Sequence, residues 1–267
     1  MSSELGALGP IVERKRREVE EIKCGRGAIW ATAEHLPPAR SIELLRGGRV
    51  IAELKRRSPS GGSLRPDLDV VAVAVGYAGA GAAAISVLTD AVDFGGSPAD
   101  LERVRAAVDV AVLRKDFTVD PVQIAEARVL GADWVLLIAA VLEGGALDEC
   151  LEAARRAGAE ALVEVHDEAE LERAVVAGAG CLGINNRDLR SLRTDLSTFS
   201  RLRRLLPDET VVIVAESGAR SAADVGRLVG EGADAVLVGE ALMRHPDPAE
   251  LCAEMVGAAT AAARVAR

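Results

Sequence analysis

Short apolar runs rich in β-branched residues start near Val50, Ala83, Val110, Trp134, Ala161, Leu182, Val211 and Ala235. They recur at intervals of about 26 residues, the length of one strand–loop–helix unit. Segments with helical patterning fill the intervals, at 69–79, 98–107, 121–130, 147–157, 167–177, 196–206, 221–231 and 248–264. Five of these helices hand over to the next strand through Gly-Ala, at 81–82, 131–132, 158–159, 178–179 and 232–233. Glycine accepts the left-handed conformation that ends a helix, and alanine is small enough for the turn into the strand. Eight such units with buried apolar strands predict a closed parallel (β/α)8 barrel, the TIM barrel. An open doubly wound sheet is the alternative. The count of eight and the lack of Gly-x-Gly-x-x-Gly after the first strand weigh against it.

Residues 1–47 stand outside the repeat. Pro10-Ile11-Val12 opens a charged helical segment that runs to about Lys23, Pro37-Pro38 interrupts it, and Ser41 caps a short helix over 42–46 ended by Gly47-Gly48. The expected organisation is one barrel domain over 1–267, with 1–47 as an N-terminal helical extension. A hydrophobic content of 49% supplies a core, and a net charge of −9 argues against a nucleic-acid surface. No apolar run approaches the roughly 18 residues of a membrane span, and the N-terminus lacks a secretory h-region. The four cysteines (24, 150, 181, 252) form no CxxC pair, and the three histidines (35, 166, 245) are scattered. No metal site or disulfide frame is therefore expected. The expectation is a cytoplasmic protein that needs no cofactor. Its oligomeric state is left open, a monomer being compatible with the sequence.

Chemistry in such a barrel belongs at the carboxyl ends of the strands. The first strand runs into Val50–Gly62, VIAELKRRSPSGG, where a period of two puts Glu53 and Lys55 on one face and Leu54 on the other. Taken alone, this stretch reads first as an edge strand with a solvated charged face, a balance that the rest of the chain changes. The third strand ends in Lys115, in phase with Ala111 and Leu113, with Phe117 beyond. The fifth gives Glu164, the sixth Asn185 followed by Arg187 and Leu189, and the seventh Glu216 before Ser217-Gly218. The eighth gives Gly239 and a helical turn beginning at Glu240. Rim ion pairs explain any one of these residues. Six polar groups (Glu53, Lys55, Lys115, Glu164, Asn185, Glu216) aimed at one mouth are a poor structural investment and point to acid–base chemistry, with lysine pKa values that burial would depress. Ser217-Gly218 and Gly239 occupy the usual phosphate position of such barrels, although a bare Ser-Gly is also an ordinary turn. Phe94 and Phe117 suit either loop packing or the wall of a flat apolar ring. His166 reads as a neighbour of Glu164, and Trp134 as core.

These motifs, IAELKRRSPSGG, AISVLTD with FGGS, VLRKDF, LVEVHDE, LGINNRDL, VAESG and VLVGEALMR, resemble indole-3-glycerol phosphate synthase in order from about Ile11 to Met255. The resemblance implies a metal-free barrel acting in tryptophan biosynthesis. It would close the pyrrole ring of an anthranilate-derived ribulose phosphate with loss of carbon dioxide and water. Lys115 would then be the general acid at the ribulosyl carbonyl. Lys55 and Glu164 would serve the dehydration, Glu53 would partner the lysines, and Asn185, Glu216 and Ser217 would orient substrate and intermediate. Ser58, Arg187, Gly218 and Gly239 would contact the anion, and Phe94, Phe117 and Leu189 would wall the anthranilate ring. Two positions depart from the pattern. Glu240 stands where some relatives carry serine, so only its backbone N–H carries over, and Ala219 replaces a commonly larger apolar residue.

Three other readings compete. A Schiff-base aldolase would use Lys115 as its nucleophile. A sugar-phosphate isomerase would release no carbon dioxide. A non-catalytic binder of phosphorylated metabolites would lose no turnover on substitution of Lys115.

Overall fold

Each of the eight apolar runs forms a strand that starts within one residue of its sequence position. They are β1 (Arg49–Leu54), β2 (Ala84–Leu88), β3 (Ala111–Lys115), β4 (Trp134–Ile138), β5 (Glu160–Val165), β6 (Cys181–Asn185), β7 (Val212–Glu216) and β8 (Ala235–Val238). The structure, a computed structural model, describes residues 5–188, 191–207 and 211–265. Every strand pairs in parallel with the next, and β8 pairs with β1 to close the barrel. The five Gly-Ala handovers have the conformation expected of them, with φ of 89° at Gly81, 94° at Gly131, 62° at Gly158, 78° at Gly178 and 101° at Gly232.

Side-chain caps set where helices begin. Asp69 accepts from the backbone N–H groups of Val71 and Ala72, Ser97 from Asp100, and Asp167 from Glu170. Ser221 and Asp224 form a reciprocal capping box. Alternation along the strands then divides the core in two. Ile51, Leu113, Trp134, Leu162 and Val214 fill the barrel interior, while Val50, Ile85, Val112, Val163 and Ile213 pack outward against the helices. No helix among the described residues is long and apolar enough to cross a membrane.

The N-terminal extension touches both ends of the barrel. Its helix Gly9–Lys23 lies at the carboxyl end of the strands. There Lys15 Nζ is 2.9 Å from Asp116 and 3.0 Å from Asp90, both buried. At the opposite end the short helix Ile42–Leu45, capped by Ser41, buries Leu45, and the Trp134 indole N–H donates to the Arg40 carbonyl at 2.7 Å. Between them lies a helix absent from the sequence reading, Arg26–Ala33, which packs against Val122–Val129. With eight residues and a glycine in its first turn, it has little periodic signal.

Candidate active site

Alternation turns the last inward residue of several strands onto one floor. Glu53 rises from β1, and the Lys55 ammonium donates to its Oε1 at 2.5 Å. Lys115 ends β3 and is shared between two carboxylates. It donates to Glu164 Oε2 on β5 at 3.3 Å and makes a close ion pair with Glu216 Oε2 on β7. Asn185, the last residue of β6, donates to Glu164 Oε1 at 2.8 Å and accepts from the Arg187 N–H at 2.9 Å. Glu53, Glu164, Asn185 and Glu216 are all buried. The parallel register brings Asn185 level with Glu216 across β6 and β7. The six polar groups expected at the mouth thus line one cavity of about 720 Å³.

Burial and charge compete at Lys115, Glu53 and Glu216. Burial disfavours the ammonium of Lys115, but Glu216, Glu164 and Glu53 outweigh it and raise its pKa. The expected depression is therefore overturned, because a lysine held against three carboxylates keeps its proton more firmly than one in apolar surroundings. Burial likewise works against the Glu53 carboxylate, yet Lys55 and Lys115 hold its pKa below the ordinary value. At Glu216 the balance tips the other way. Burial, with Glu164 and Glu53 close by, pushes it up to about 7 despite the pull of Lys115. Its Oε1 is buried without a hydrogen-bond partner among the described residues.

The loops above this floor carry the remaining candidates. Ser58 ends the first strand of a small ribbon in which Arg57–Ser58 pairs with Gly62–Ser63, and its Oγ accepts from the Gly61 N–H at 2.9 Å. After β7, Ser217 and Gly218 are both left-handed, with φ of 64° and 91°. Leu196 and Thr194 crowd the position where a Cβ on Gly218 would stand. Gly239 follows β8 and begins the turn Glu240–Arg244. The Glu240 carboxylate accepts from Arg244 Nε at 3.1 Å and lies 3.7 Å from Arg187 Nη2, so it faces guanidinium groups at the cavity rim. Phe94 and Phe117 stand on the far side with ring centroids 6.1 Å apart at 42°. Leu189 lies outside the described residues. Ala219 is buried and lines the cavity. His166 donates its backbone N–H to Glu170 at 2.8 Å, with its Nδ1 2.8 Å from the Asn185 carbonyl, and Trp134 is fully buried in the barrel.

Three contributions escaped the sequence reading. Leu8 and Ile11 of the N-terminal segment line the cavity beside Phe94 and Phe117. Their signal is weak, since they lie before the repeat begins. Asn186, fully buried, donates from Nδ2 to the carbonyls of Glu216 and Ser217 at 3.2 and 3.0 Å and accepts from the Phe199 N–H at 3.0 Å. It pins the left-handed turn after β7 to β6, and a second asparagine next to Asn185 was its only trace. Gly183, in the middle of β6, lies against the Glu216 carboxylate.

The sequence profile described as Indole-3-glycerol phosphate synthase matches residues 8–255. Proteins named indole-3-glycerol phosphate synthase are similar along nearly their whole length. The one from Parafrankia sp. is 48% identical over 261 residues, covering 96% of this chain and 97% of its own. That from Nocardioides sp. is 52% identical over 229 residues, with 85% and 88% covered. That from Carboxydothermus hydrogenoformans is 51% identical over 254 residues, with 90% and 96% covered. Among solved structures, thiamine phosphate pyrophosphorylase from Pyrococcus furiosus superposes with a TM-score of 0.61 at 18% identity, over 82% of this chain and 98% of that one. At that identity the likeness speaks for the barrel alone. By profile, identity and coverage, this chain belongs to the indole-3-glycerol phosphate synthase family.

Proposed function

We propose that the cavity closes the indole ring of 1-(2-carboxyphenylamino)-1-deoxyribulose 5-phosphate, giving indole-3-glycerol phosphate, carbon dioxide and water. The observation that carries this reading is the Lys115 ammonium, held between Glu164 and Glu216 on the cavity floor with the Glu53–Lys55 pair alongside. The substrate needs its ring carbon bearing the carboxylate brought against the ribulosyl carbonyl. The ring rests on Phe94 and Phe117. The phosphate lies toward Ser217-Gly218 and Gly239, where backbone N–H groups, Arg187 and Ser58 serve it. Only the backbone N–H of Glu240 is assigned to the anion, since its carboxylate would repel a phosphate.

Ring closure forms a carbon–carbon bond and pushes the carbonyl electron pair onto oxygen. Lys115 delivers the proton, and its charge stabilises the developing alkoxide. Loss of carbon dioxide returns the electron pair of the breaking bond to the ring. Dehydration then expels the new hydroxyl as water while a proton leaves the five-membered ring. Lys55 and Glu164 supply the acid and the base for this step, with Glu53 partnering the lysines. Asn185 orients Glu164, Glu216 sets Lys115, and Ser217 orients the bound intermediate. The chain acts as one barrel with its N-terminal extension, in the cytoplasm, on a phosphorylated small molecule.

A lysine whose pKa is raised is a poor amine nucleophile, which favours this reading over a Schiff-base aldolase. The test mixes the protein with the carboxyphenylamino-deoxyribulose phosphate and follows indole absorbance, fluorescence and released carbon dioxide. Indole signal with one equivalent of carbon dioxide is expected. Turnover without carbon dioxide, or an adduct trapped by borohydride, overturns the assignment.

A further inference from the structure

Glycine in the interior of a buried strand loses conformational entropy on folding and contributes no side chain to the core, so its presence there calls for a cause. Gly183 stands at the centre of β6, buried, two residues before the inward-facing Asn185. It is not among the left-handed glycines, so its backbone does not require glycine. The cause is spatial. A Cβ built on Gly183 would stand 2.0 Å from Glu216 Oε1 and 3.1 Å from Glu216 Cδ, with Leu162 Cδ1 behind it at 3.3 Å.

The arrangement recurs on the other side of β7. Gly239, with φ of −127°, also has no left-handed backbone, and a Cβ there would meet Glu53 Oε1 at 2.2 Å and Glu53 Cδ at 3.0 Å. In both places a missing side chain is replaced by the carboxylate oxygen of a glutamate whose charge partner is a lysine on the cavity floor. Glu216 Oε1 has no hydrogen-bond partner among the described residues, so what locates that oxygen is shape rather than a donor.

We propose that Gly183 is a positioning residue: the space left by its absent side chain seats Glu216 Oε1 and thereby sets Glu216 Oε2 against Lys115 Nζ. Its kinetic consequence rests on the reading above, in which the Lys115–Glu216 pair takes part in the reaction. A methyl group at 183 leaves the strand backbone free to form. It moves the far end of one side chain, and a displacement of this kind on an otherwise intact floor costs turnover more than folding.

The experiment is a double-mutant cycle on the full chain with Gly183→Ala, Glu216→Ala and the double variant, together with a crystal structure of Gly183→Ala. Gly183→Ala is expected to lower kcat by about 100-fold with a small change in KM. In the Glu216→Ala background it should cost almost nothing more, because the clash has gone. A purely structural role would give independent losses that multiply, and that result, or wild-type kcat in Gly183→Ala, overturns the proposal. The crystal structure reads the geometry without activity. If the Lys115–Glu216 contact survives, positioning by Gly183 is refuted. If the contact is broken while Glu216→Ala turns over normally, positioning stands and the role given to Glu216 in the reaction fails. Should Gly183→Ala not accumulate as folded protein, the double variant is expected to fold, and its failure to do so also refutes the proposal.

Discussion

Two buried charge clusters meet along one stretch of β3 and the residue that follows it. Lys115 turns inward to Glu164 and Glu216, while its neighbours Arg114 and Asp116 turn outward beneath the N-terminal helix. The outward cluster is fully partnered at its centre. Asp116 Oδ1 accepts from the Phe117 N–H at 2.8 Å and faces Lys15 at 2.9 Å, and Oδ2 accepts from Thr89 at 2.6 Å and Arg114 at 3.2 Å. Burial works against its charge, but Arg114 and Lys15 hold its pKa down to about 2. The inward cluster sets three carboxylates against two lysines, leaves one oxygen of Glu216 without a donor among the described residues, and poises Glu216 at about 7. In the outward cluster Asp116 is held firmly ionised, whereas in the inward one Lys115 and Glu53 are held charged and Glu216 alone is left near the working pH.

The sharpest way to break this contrast is at Lys115 itself. Lys115→Met is expected to reduce kcat by about 10³–10⁴-fold, the range of a general acid with its charge, while the barrel remains folded. Steady-state kinetics and circular dichroism together check it, and an unfolded variant would put Lys115 in the structural class. The next largest effect belongs to the outward cluster. Asp116→Ala takes one buried carboxylate from Lys15 and Arg114, which keep Asp90 and Glu126, and should cost about 2–3 kcal/mol in urea unfolding, with activity per folded molecule much less affected.

Different pH ranges should separate the two clusters, although both effects appear as pH falls. With its folded pKa raised to about 7, Glu216 takes up a proton as pH falls through that value, and the ion pair with Lys115 loses its carboxylate. The value of kcat/KM should then drop about tenfold per pH unit below that point, and Glu216→Gln should abolish the limb. Asp116 has its folded pKa below the ordinary 3.8, so its contribution is fully present above 3.8 and is lost as pH falls through about 2. That contribution is about 2 kcal/mol, measurable as acid unfolding that Asp116→Asn shifts to higher pH. The smallest effect is the baseline. Arg155→Ala removes an exposed pair with Glu152 and should change stability by less than about 0.5 kcal/mol.

Much of this was legible in the chain. The recurrence of apolar runs and the Gly-Ala stops located every barrel strand, because strand and helix periods and left-handed helix ends are local properties. Local period also put Glu53 and Lys55 on one face and set the inward direction of Lys115, while Asn185 and Glu216 were legible as strand ends. The helix Arg26–Ala33 was illegible because eight residues with a weak stripe owe their helicity to packing on Val122–Val129. The direction of the Lys115 pKa was misread for a related reason: burial is local to a strand end, but the carboxylates that overcome it arrive from β1, β5 and β7.

By itself, then, the sequence determined that eight strand–helix units would close a barrel and which residues would face its mouth, since both follow from short-range backbone geometry. Tertiary structure alone decided which carboxylate meets which lysine. It also decided that the cavities of Gly183 and Gly239 are filled by Glu216 and Glu53, and that Asn186 pins the turn after β7. Those pairings join residues far apart in the chain. Their distances depend on the stagger of closed strands, which no single stretch of sequence encodes.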